Sequence, residues 1–337
     1  MKRFKQSTLS SVAALAALGM LAFAGAAPTA EAETRFTVKL GVSTPPGHVY
    51  NVALDAFKEM VERESNGEIV VNIFPSAQLG GEVENARDVQ LGTLEMALPA
   101  TSNLAGFQPK YNAFSVPYLM NSLDCALVVA NGPALGSIGE ELRETHGIRV
   151  LTHFTFGERQ FYNTERPILT PADLEGLKMR APDRMMEMMY STFGAQPTPL
   201  PFPEVFTALQ QGVIDGEANP LVSMRLFRWY EVAKFVSLTD VIIGLAPLII
   251  NERYFQKMTK ADQDLLMRAA KHGASVNFNA QNKLTEEALT YLKGKGVRFD
   301  EPDKEPFRKA LQPMFDFARK EYGADFIQSL ISAQSGC

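Results

Sequence analysis

Between Lys260 and Lys293 the chain runs for 34 residues without a proline, and only Gly273 interrupts it. Read as one helix at about 1.5 Å per residue, this run spans roughly 50 Å. That is too long for one lobe of a domain of this size. The amount of chain left to fold agrees. If residues 1–32 are a leader, 305 of the 337 residues remain, enough for one large or two smaller domains. The leader reading rests on Lys2, Arg3 and Lys5, the apolar run Val12 to Phe23, and the small-x-small site Ala30-Glu31-Ala32. These are the parts of a secretory signal peptide cleaved before Glu33. The rival reading is an uncleaved anchor, but the apolar core is shorter than the roughly 20 residues of a spanning helix. Ile242 to Ile250 is strongly apolar too, yet Gly244 and Pro247 interrupt it, and it reads as buried strand.

Charge and motifs exclude several function classes. The formal charge of -5 becomes -7 once Lys2, Arg3, Lys5 and Glu31 are removed, and there is no basic run. The sign is wrong for a phosphate backbone, so no nucleic-acid partner is expected. An acidic protein can still hold an anion if a few arginines face a cleft. Four histidines, His48, His146, His153 and His272, are scattered without metal-ligand spacing, so neither metal nor cofactor is expected. Nucleophile-elbow, P-loop and dinucleotide fingerprints are absent from the sequence, which argues against an enzyme. A secreted hydrolase with an unrecognised site is the remaining enzymatic alternative. Cys125 and Cys337 could pair in an oxidising compartment, although the chain end would have to be held in place for that.

In chain order, Phe36 to Val42 alternates as a strand, Tyr50 to Glu64 has helical periodicity, and Glu68 to Phe74 is a second strand. This βαβ opening predicts an α/β fold with parallel pairing. The loop after the first strand offers Ser43, Thr44 and His48 as candidate site residues, with His48 read as an exposed loop histidine. Gly80-Gly81 precedes a helix but is discounted as an anion turn, because Glu82 and Glu84 would repel the anion. Leu94 to Pro99 is a third strand with Ala100 and Asn103 at its end. Ile148 to Phe154 is a fourth, after which Arg159 falls between two strands.

The stretch from Gly176 to Pro220 is the richest in polar groups. Leu177 to Met179 reads as a strand broken by Pro182, which puts Arg180 at the ligand edge of an α/β sheet. Its guanidinium fork fits a carboxylate, although pairing with Glu175, Asp183 or Glu187 would serve structure alone. A helix follows Phe202 and Pro203, and Val213-Ile214 reads as a buried strand. Asn219 lies just past it and can both donate and accept. Farther on, Trp229 is either core or ligand wall.

Several blocks match one family in order: Gly176-Leu-Lys-Met-Arg180-Ala-Pro182, Phe202 to Gly212, and Asp215-Gly-Glu-Ala-Asn-Pro220. Phe74 to Gly80, Pro117-Tyr118 and Gly157-Glu-Arg-Gln160 fit as well. The chain after Phe36 resembles the solute-binding proteins of tripartite ATP-independent periplasmic (TRAP) transporters. The resemblance implies a two-lobed periplasmic-binding-protein-like fold, type II-like, with a cleft between the lobes and a long helix across both. On this reading residues 33–156 and 241–275 form one lobe, and residues 157–240 and 276–337 the other. It further implies a periplasmic monomer that captures an organic-acid anion and passes it to sodium-coupled integral-membrane permease subunits. The expected ligand is a C4-dicarboxylate or a sugar acid such as a uronate. The expected contacts are Arg180, Arg159, Asn219, Ser43, Asn103, Trp229 and Phe202, with the uncharged Ala100 and Asn103 arguing against a ligand that needs an extra cation or carboxylate at that position. The binding protein of an ATP-driven importer is the alternative that would share this shape.

Overall fold

The computed structural model describes residues 33–337, so the expected leader and its cleavage site lie outside the described residues. Nine strands form one mixed sheet among them. They are β1 (Phe36–Gly41), β2 (Ile69–Phe74), β3 (Met96–Ala97), β4 (Ile148–Asn163), β5 (Lys178–Ala181), β6 (Gln196–Pro199), β7 (Gly216–Asn219), β8 (Phe235–Asn251) and β9 (Arg298–Asp300). The order is β2-β1-β3-β8-β4-β7-β5-β6, with β9 beside β8. The opening βαβ unit is as the periodicity predicts: β1 and β2 pair in parallel from Phe36–Ile69 to Gly41–Phe74. The helix between them, Val49–Glu64, buries Ala53, Leu54, Phe57 and Val61.

Two long strands hold the two lobes together. β4 and β8, 16 and 17 residues long, pair antiparallel along their whole length. At one end β8 takes up β3, leading to β1 and β2, and at the other end β4 takes up β7, leading to β5 and β6. The expected break after Phe154 does not occur, and Arg159 lies inside β4 rather than between strands. The chain bends there without ending the strand, because the register shifts at Thr155/Gly157 and again at Arg159/Phe161. Such bulges kink a strand and re-aim its side chains. Gly157, at φ 91°, supplies a backbone conformation that other residues rarely adopt.

The long helix runs from Lys260 to Gly294, 35 residues, and starts in a capping box between Thr259 and Asp262. Near its first half, Leu265, Leu266, Ala269 and Ala270 belong to the core of β1, β2 and the helix Val49–Glu64. Gly273 lets it approach closely, since a Cβ there would stand 2.9 Å from the Ala53 carbonyl oxygen. Near its end, Ala288 and Leu292 join a separate core around Trp229 and Val236. It thus crosses from one core to the other. The C-terminal segment forms three helices, Glu305–Ala310, Gln312–Tyr322 and Ala324–Ser332. The chain end is fixed, with Cys337 disulfide-bonded to Cys125.

Candidate functional site

The cleft lies where the bent middle of β4 meets the ends of β5 and β7, and it holds about 430 Å³ of atom-free space including its mouth. Arg180, Arg159, Asn219, Asn103 and Phe202 from the expected set line it. Ser43 and Trp229 do not. Ser43 is buried in the loop after β1. Trp229 is fully buried, stacked between Tyr162 and Phe227 with ring centroids 5.6 and 5.2 Å away. It sets Phe202 in place edge-on at 5.5 Å, so it backs the wall without forming it. Met185, Met186 and Met189 are core.

Arg180 is buried at the end of β5, and its three contacts divide its fork. Nε donates to the Leu200 carbonyl at 2.9 Å, Nη1 donates to Glu217 Oε2 at 2.9 Å, and the guanidinium lies 5.6 Å from the Phe202 ring. The carboxylate that pairs with it is therefore Glu217, and not Glu175, Asp183 or Glu187. Asp183 instead caps the helix Arg184–Thr192 by accepting from the Met185 and Met186 N–H groups. Glu217 was missed because Val213-Ile214 looked like the strand. The strand is the polar Gly216–Asn219, which pairs with Gln160–Asn163 of β4, and Val213 is exposed.

Arg159 is held differently. Its Nη1 donates to the Ala218 carbonyl at 2.7 Å and to Asn219 Oδ1 at 3.1 Å, and its plane lies 4.7 Å from the Phe156 ring. Among the described residues no carboxylate lies within ion-pair distance of it, although it is only 8% exposed. Burial, and then the neighbouring Arg180, push its pKa down. Phe156 keeps its place because residue 244 is glycine, where a Cβ would stand 1.7 Å from Phe156 Cζ. The Asn219 amide is oriented by Arg159, which leaves its buried Nδ2 without a partner.

The facing wall carries residues that the sequence reading set aside. His48 is not an exposed loop histidine: it is 1% exposed and caps the helix Val49–Glu64, its Nδ1 accepting from Tyr50 N–H at 3.2 Å. That leaves Nε2–H to donate to Ser223 Oγ at 3.2 Å, across the cleft. Burial lowers its pKa to about 3. The discounted Gly80-Gly81 turn delivers Glu82, whose Oε2 accepts from Ala100 N–H at 2.7 Å and Asn103 Nδ2 at 2.6 Å. This wall is thus charged after all, through Glu82, and Asn103 serves to hold it. Burial pushes the Glu82 carboxyl up. A polar residue in a first helical turn is the usual dipole complement, which hid its second use.

The sequence profile described as "Bacterial extracellular solute-binding protein, family 7", the DctP family, matches residues 40–321. The chain belongs to this family. A solute-binding protein of Verminephrobacter eiseniae is 34% identical over 311 residues, covering 91% of each chain. The crystal structure of a TRAP periplasmic solute-binding protein from Polaromonas sp. JS666, bound to D-erythronate, matches with a TM-score of 0.85 and 32% identity. It covers 90% of this chain and 99% of that one. One from Chromohalobacter salexigens with bound D-glucuronate matches with a TM-score of 0.84 and 26% identity, covering 88% and 99%. Among the described residues of this DctP-family chain, no helix is long and apolar enough to cross a membrane.

Proposed function

We propose that this DctP-family protein captures a hydroxylated organic acid of the sugar-acid class in the periplasm and delivers it to a TRAP permease. The observation that carries the reading is a set of donors without acceptors. Arg159 Nε and Nη2, Arg180 Nη2 and Asn219 Nδ2 have no hydrogen-bond partner among the described residues, and all three side chains line one cleft. Two guanidinium forks and an amide N–H are what a carboxylate takes up. The opposite wall offers groups suited to hydroxyls, the Glu82 carboxylate and Thr44, and Ser223 adds a hydroxyl on the Asn219 side. Those groups favour a sugar acid over a bare C4-dicarboxylate.

The reading includes a monomer that holds its ligand without transforming it. The division into lobes at residues 33–156 with 241–275, and 157–240 with 276–337, is part of it. The register shifts in β4 near Gly157 support a hinge there. Ligand would then favour closure by touching both lobes at once. Relatives titled as TRAP proteins support permease delivery without ATP, and sodium coupling follows from that class. The test is a thermal-shift screen of aldonates, uronates and C4-dicarboxylates, followed by calorimetry. Sugar acids at about 100 times their Kd should add roughly 2.7 kcal/mol of stability. No shift with any carboxylate would reject the reading.

A further inference from the structure

We infer that Glu217 restricts the cleft to ligands carrying a single negative charge, by neutralising one of its two arginines from within. The inference rests on the proposed organic-acid reading of the cleft.

Glu217 is 1% exposed on β7, and each of its oxygens meets a donor. Oε2 takes Arg180 Nη1 at 2.9 Å, and Oε1 accepts a short hydrogen bond from the Tyr162 hydroxyl. Burial, reinforced by the Glu217 charge, pushes the Tyr162 phenol up, so it stays a donor. A buried carboxylate set between a guanidinium and a phenol donor has both oxygens engaged by donors within the fold. Arg180 is therefore compensated before any ligand arrives, and among the described residues Arg159 is the one cleft cation with no carboxylate partner. Glu82 stands on the facing wall as a further carboxylate, and no lysine among the described residues lines the cleft. A ligand with one carboxylate meets Arg159 in full and shares Arg180. A second carboxylate would find no cation left and would face Glu82 or Glu217 in a desolvated space, where like charges repel strongly. Glu217 thus acts through Arg180 as a specificity-determining residue, not as a ligand contact.

The test compares a six-carbon aldonate with the aldarate of the same carbon count, by calorimetry at pH 7.5 and fixed ionic strength. Wild type should prefer the aldonate by at least about 100-fold, in line with the cost of like-charge juxtaposition. Glu217→Gln keeps the shape and removes the charge, so it should shift that ratio toward the aldarate by at least about tenfold. Tyr162→Phe removes one hydrogen bond but leaves the charge, and should not move the ratio. Glu82→Gln, which removes the facing charge, should move it in the same direction as Glu217→Gln. It serves alone if the Glu217 variant does not fold. Equal wild-type binding of both acids overturns the inference. So does a ratio unchanged within about threefold in Glu217→Gln, or in Glu82→Gln where that variant stands alone, or an equal shift in Tyr162→Phe. Failure of wild type to bind either acid overturns the organic-acid reading itself.

Discussion

The two cleft arginines are chemically alike, but truncating them should have different consequences. Arg180→Ala leaves Glu217 buried and unpaired, which costs about 3–5 kcal/mol of folding stability. Arg159→Ala strands only the Ala218 carbonyl and Asn219 Oδ1, costing about 1–3 kcal/mol. Both should weaken sugar-acid binding, but urea unfolding without ligand should find Arg180→Ala the less stable variant. The reverse order would mean that Glu217 does not need its cation. A sequence reading that weighs Arg180 only as a ligand group expects the fold to survive its loss. Arg180, Arg159 and Asn219 were legible because they stand in ordered blocks with spacing. Glu217 and Glu82 were not, because an acidic side chain in a short strand or a first helical turn has an ordinary surface explanation. Only the fold shows that both turn inward. His48 was misjudged for the same reason: nothing in a loop of glycine and proline indicates that its histidine is a buried helix cap.

Among the elements, those specified by apolar periodicity or by an uninterrupted run were readable, including the opening βαβ unit and the helix Lys260–Gly294. The misplaced ones carry polar residues in their interior. Gly216–Asn219 forms a strand because β4 and β5 pair with it on either side, while its side chains satisfy one another and the cleft arginines. Hydrophobic alternation cannot report such a strand. The anchoring of the C-terminal end was not readable either. Gln334 accepts from Asn121 N–H at 2.8 Å and donates to the Leu119 carbonyl at 2.9 Å, which brings Cys337 to Cys125. The disulfide closes a separation of 212 residues, so it restricts the unfolded chain strongly. Cys125→Ser should therefore cost about 2–5 kcal/mol in urea unfolding under oxidising conditions. The folded variant should keep wild-type ligand affinity, since the bridge lies away from the cleft. A variant as stable as the oxidised wild type would show that the bridge does not form in solution.

At the scale of the whole molecule, the proposed closure of the cleft makes His48 with Ser223 the contact that should respond to it. The two residues belong to opposite sides of the cleft, and the pKa of about 3 belongs to the buried arrangement in which they touch, which the proposal takes as closed. In an open cleft the ring would be solvated, with an ordinary pKa near 6.5. Between about pH 3 and about 6.5 the open form then holds more protons than the closed form. Closure must therefore strengthen as pH rises through that window and level off above it, and it weakens as pH falls. Two buried acids, Glu82 in the cleft and Asp183 at the helix cap outside its lining, act differently. Glu82 and Asp183 have raised pKa values, so their protonation favours the closed form as pH falls, opposing His48. The Tyr50 phenol, raised by burial, stays neutral throughout. Comparing wild type with His48→Asn separates these effects, because asparagine can still cap the helix but does not titrate. Calorimetry with a sugar acid between pH 5 and 7.5 should show wild-type affinity falling by up to about tenfold per unit below 6.5. The variant should lack that loss. Small-angle scattering at saturating ligand should show the same compact form at both pH values, with more ligand needed at pH 5. If wild type and His48→Asn follow the same pH profile, the histidine does not change its surroundings on closure, and His48 is then only a helix cap.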